Sequence, residues 1–134
     1  MGLQLSVDVR NAILDSIENE IGTDPTLEIR SGAPPASCAS ADSGTVLADL
    51  ALPTDWMADA TAGSKAKSGT WEDTSADNTG TAGHFRLKGS DGTCHMQGTV
   101  TASGDGGDMQ VDNASFTTGQ NFTITTFTLT APHS

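Results

Sequence analysis

Ser64-Lys65-Ala66-Lys67 has the Ser-x-x-Lys spacing of serine acyl-enzymes, but the Ser-Asp-Asn and Lys-Thr-Gly companions of that chemistry are missing from the chain. His84, Cys94 and His95 are metal-ligating types. Strand alternation sends Cys94 and His95 to opposite faces, however, and no Cys-x-x-Cys or His-x-x-x-His spacing occurs. Asp105-Gly106-Gly107-Asp108 with Asp112 could gather oxygens around calcium, yet no twelve-residue loop closed by Glu follows. Gly-x-Ser-x-Gly elbows, phosphate loops and His-Glu-x-x-His helices are equally absent. We therefore expect no enzyme, no catalytic residues, no cofactor and no metal. A glycan platform is also disfavoured, because the aromatic surface is limited to Trp56, Trp71 and four Phe, with no Tyr.

The elements that must position these residues are short of apolar material. Ala, Gly, Ser and Thr supply 63 of 134 residues, whereas Leu, Ile, Val and Phe supply 23, a thin core for a chain of net charge -11. One domain, residues 1–134, is all this length supports. Seventeen carboxylates against six Lys and Arg exclude a phosphate-neutralising role, so no nucleic-acid partner is expected. No apolar run approaches the roughly 18 residues of a membrane span, and no secretory leader is visible. We expect no membrane partner and synthesis in the cytoplasm, where Cys38 and Cys94 stay unbridged.

Periodicity predicts one helix over residues 6–21. Ser6 caps it, Val9, Ile13, Leu14, Ile17 and Ile21 form its stripe, and Gly22 with Asp24-Pro25 ends it. After Pro25 the period falls to two. Thr26–Arg30, Val46–Leu52, Gly83–Val100 and Asn121–Thr130 read as strand segments, with Val46–Leu52 the candidate central strand, Asp91-Gly92 a hairpin turn within Gly83–Val100, and Met109–Asp112 and Ser115–Thr117 further short strands. The hairpin register sets Leu87 opposite Met96 and Lys88 opposite His95. Phe122 and Ile124 hold one parity and Phe127 and Leu129 the other, so Thr125-Thr126 must be a bulge or a change of partner strand. The loop from Gly32 to Gly44 reads as a surface arm, and Ser64–Lys67 reads as loop. The fold class expected is mainly β: an antiparallel, jelly-roll-like β-sandwich over residues 26–130 with one short N-terminal α-helix.

The order of segments resembles the cement (decoration) proteins of tailed-bacteriophage heads. The resemblance lies in the short helix, Thr26-Leu27-Glu28-Ile29-Arg30 followed by Gly-Ala-Pro-Pro, the run Val46 to Pro53, Ser75 to Gly92 with Phe85-Arg86-Leu87, and the Thr-rich ending Phe122 to Pro132. It implies a virion protein on the head surface that clamps neighbouring major capsid subunits and self-associates as a dimer or trimer. A phage fibre or receptor-binding β-sandwich module is the alternative. Leu3 and Leu5 precede the helix cap, and Trp56 and Met57 lie where no strand parity is visible. These four are the interface candidates, with Trp56-Met57 as a core plug the competing expectation for that pair.

Overall fold

Ser6, in extended backbone, accepts the Val9 N–H on its hydroxyl and opens helix α1 (Val7–Ile21), with Asp8 in the positive first turn. Gly22, at φ 88°, donates its N–H to the Glu18 carbonyl and closes it. The structure is a computed structural model that describes residues 2–134. Strand accounts for 38% and helix for 11%, which makes the chain mainly β. Ten strands follow the helix: β1 (Thr26–Ser31), β2 (Val46–Ala51), β3 (Ser64–Ala66), β4 (Trp71–Asp73), β5 (Gly80–Lys88), β6 (Cys94–Ala102), β7 (Met109–Val111), β8 (Ser115–Phe116), β9 (Phe122–Ile124) and β10 (Thr128–Thr130).

One six-stranded sheet runs β2-β1-β5-β6-β7, with β8 joined to the start of β5, and every pairing is antiparallel except β6 with β7. Two ladders, β3 with β10 and β4 with β9, bring residues of the opposing side into the same core and give the arrangement its sandwich character. The pairing does not show the two matched four-stranded sheets of a jelly roll. Contrary to expectation, β2 lies at the sheet's edge and β5 is central. The double apolar parity of β2 has another cause: the register slips between Ile29 and Arg30, and Leu47 and Ala48 are consecutive buried residues. The β5–β6 register keeps Leu87 opposite Met96, but a shift after Leu87 puts Cys94, not His95, opposite Lys88. The chain changes partner at Thr125-Thr126, leaving β4 for β3.

Leu27, Ile29, Phe85, Leu87 and Val100 line the sheet's inner face against Trp56, Trp71, Phe116, Phe122, Ile124 and Phe127. Trp56 and Met57 are 0% and 1% exposed, so in the folded chain they are core and not docking groups. The reason is local pairing that parity alone does not reveal. Ala58 N–H donates to Ala66, Ser68 N–H to Trp56, and Met57 bridges Lys67, so residues 56–58 run as a strand beside 66–68. The Trp56 indole N–H then reaches the Gly22 carbonyl at 2.9 Å, tying the core to the helix end.

Candidate functional site

Ser64–Lys67 is not loop. Lys65 sits in β3 with 1% of its side chain exposed, and its ammonium contacts Asp15 at 2.7 Å, Glu18 at 2.9 Å and the Ala58 carbonyl at 2.8 Å. Burial, the largest single influence, disfavours its charge, but the bonds from Asp15 and Glu18 together hold its pKa above the ordinary lysine value. The bond from Lys65 in turn lowers Asp15. These contacts seat the helix, while Lys67, the lysine of the Ser-x-x-Lys spacing, donates to the Gly69 carbonyl. Arg10 completes the seat by donating from Nε and Nη2 to the Ala131 carbonyl. Its guanidinium lies against Gly63, at φ 78°, where a Cβ would overlap it. The helix therefore packs partly through polar residues, with Arg10, Leu14 and Ile21 buried.

The outer face of the six-stranded sheet carries a second charged layer. Alternation that buries Leu27, Ile29, Phe85 and Leu87 turns Glu28, Arg30, His84, Arg86 and Lys88 the other way, and residues 32–45 fold across them. The expected surface arm is thus a cover. Arg86, 1% exposed, donates to Asp42 Oδ1 at 2.8 Å and to the Ser40 and Cys38 carbonyls. Arg30 donates to Glu28, Asp42 and the Ser43 carbonyl, and Lys88 contacts Asp42 at 2.7 Å and Glu28 at 3.1 Å. The bond from Lys88 and the positive field of Arg30, Lys88 and Arg86 outweigh burial and lower the Asp42 pKa. Asp49 on the same face is raised, by burial first and then by Glu28, Asp77 and Asp73.

Cys38 and Cys94 are bridged, with Cα atoms 5.3 Å apart, which corrects the expectation of free thiols. The shift after Leu87 places Cys94 opposite Lys88 on the covered face, and the Arg86 bonds to Cys38 and Ser40 bring the arm's cysteine above it. Of the suspected metal group, Cys94 is therefore in a disulfide, His84 is buried against the Gly32 carbonyl and His95 is exposed. Asp108 accepts the Thr99 N–H and hydroxyl, an ordinary turn role. Among the described residues no group of three His, Cys, Asp or Glu could hold a metal ion, and no helix is long and apolar enough to cross a membrane.

What remains outward is asymmetric. All six cations have acceptors inside the molecule, Lys67 using the Gly69 carbonyl, whereas only Asp15, Glu18, Glu28 and Asp42 of the seventeen carboxylates sit in ion pairs among the described residues. Among the described residues the exposed large apolar side chains are Leu3 (70%), Val7 (50%), Val9 (46%) and Ile13 (38%), all within eleven consecutive residues. Leu3 is where the sequence places an interface, while Leu5 is half-buried and donates its N–H to the His133 carbonyl. Periodicity alone does not find this surface: Val9 and Ile13 belong to the stripe expected to face inward, and Val7 lies outside it. The intruding Arg10 was the available signal, since a cation that takes the buried side rotates Val9 and Ile13 outward. No family model, no curated protein and no solved structure matches the chain.

Proposed function

We propose that the chain is a structural virion protein, a cement (decoration) protein that docks on the outside of a tailed-phage head and bridges neighbouring major capsid subunits. The observation that carries this reading is the confinement, among the described residues, of the exposed large apolar side chains to residues 3–13 of an otherwise carboxylate-rich surface. An apolar cluster of this kind suits a partner that desolvates it, and the acidic surround keeps decorated particles apart in solution. A small module bound many times over adds buried area at each subunit boundary of a shell under internal pressure. The partners are the major capsid protein and further copies of this chain, and the place of action is the head surface.

Purified protein mixed with undecorated heads tests the reading. Saturable binding with raised resistance of the heads to heat is the expected result. Absence of binding contradicts it, and binding at the tail tip alone favours the fibre or receptor-binding module.

A further inference from the structure

We infer that a slot between β6 and β10 accepts residues 2–5 of a second copy of this chain as an added strand. The acceptor is built from two unpaired strand edges. β10 bonds to the β3 side through its odd residues: Lys67 N–H donates to the Phe127 carbonyl and Ala131 N–H to the Gly63 carbonyl. Alternation then turns the N–H and C=O groups of Thr128 and Thr130 away from β3. Across from them, β6 meets β7 only from Val100 onward. The Thr99 N–H points outward to Asp108, so the Gln97 backbone groups two residues earlier point outward as well. Between these edges lies a groove of about 300 Å3, floored by Phe85, Met96, Phe127 and Leu129. Free edges above an apolar floor are what an extended segment completes by strand addition.

Gly2-Leu3-Gln4-Leu5 matches the slot. It lies outside the helix and every strand, carries no charge, alternates apolar and polar side chains, and leaves Leu3 70% exposed. Four extended residues span about 13 Å, enough to run the length of the three-residue β10. The Leu5 N–H bond to His133 makes the segment depart just beyond the end of β10. Two copies related by a two-fold axis can therefore exchange even these short segments reciprocally. Local charge favours a second copy: the segment is neutral, and of the residues lining the groove only Asp108 is charged, its Oδ2 already accepting Thr99. The net charge of -11 on each copy opposes association at long range, so added salt strengthens this dimer. Leu3 is then engaged by the second copy, and Val7, Val9 and Ile13 stay free for the head. The inference stands on the slot and not on the cement reading.

Sedimentation equilibrium of the intact protein at low and high salt tests it. The expected result is a concentration-dependent dimer, tighter at high salt, that Leu3→Asp and Thr128→Pro each weaken at least tenfold without changing the melting temperature at a dilution where the unaltered protein is monomeric. Leu3 is exposed and the Thr128 N–H faces the slot, so neither change touches the core. An equimolar mixture of the two variants, each retaining the element the other lacks, re-forms a dimer weaker than the unaltered one. A monomer under all conditions, or a dimer indifferent to both variants, overturns the inference. A monomer that still saturates undecorated heads overturns it while leaving the cement reading intact, and a dimer that ignores heads does the reverse.

Discussion

Residues 32–45 and residues 2–13 both lie at the margin of the fold, and the molecule treats them oppositely. The first has few apolar side chains beyond Ala and Pro, yet it is closed down by the Cys38–Cys94 bridge, by Asp42 and by carbonyls that accept from Arg30, Arg86 and Gln97. The second has apolar side chains available for burial and leaves four of them in water. At the arm the cations that could have bound a charged partner are consumed internally, whereas at the N-terminal segment apolar groups that could have joined the core are left out. The difference locates docking at the N-terminal segment and stability at the arm, and substitutions in each region separate the two.

The largest effect belongs to the core beneath both. Trp56→Ala should cost about 3 to 5 kcal/mol of stability in denaturant unfolding, since an indole at 0% exposure leaves a cavity and an unpaired Gly22 carbonyl. Head attachment should fail only where folding does. Next is the arm: replacing Cys38 and Cys94 together by Ala should cost about 3 kcal/mol, because the bridge joins positions 56 residues apart. Attachment, measured below the lowered melting temperature, should be unchanged.

Asp42→Asn sharpens the comparison through pH. The folded-state pKa of Asp42 lies below its ordinary value of 3.8, so its contribution is fully present above that value and is lost as pH falls through the folded pKa. The variant should be less stable than the unaltered chain at neutral pH, by about 1 to 2 kcal/mol given the carboxylate's partial exposure. The two unfolding curves should converge in strong acid. A constant gap from neutral pH down to strong acid would show that Asp42 acts by packing and not by charge.

These regions differ in how far the sequence reveals them. The helix bounds, β1, the facing of Leu87 and Met96 and the switch at Thr125-Thr126 follow from caps and alternation, which are local. The arm's closure was hidden because it depends on the extra residue His95 in β6, which brings Cys94 opposite Lys88, and no periodicity reports a bulge. Trp56 and Met57 were equally opaque, since the pairing of 56–58 with 66–68 rests on single bridges. Leu3 was legible because it precedes a strong cap. Val7, Val9 and Ile13 were not, because a stripe that looks apolar does not say which flank Arg10 and Asp15 will claim.

The central claim, that the exposed apolar side chains of residues 7–13 dock on the head, is tested most directly by head binding of a Val9→Ser, Ile13→Ser double variant beside the unaltered protein. Val9 and Ile13 are 46% and 38% exposed and lie outside the core cluster, so the melting temperature should move by no more than the equivalent of about 1 kcal/mol for the pair. The account predicts that attachment to undecorated heads weakens by about 2 kcal/mol or more, roughly thirtyfold in the dissociation constant. Unchanged attachment by a folded double variant would contradict it.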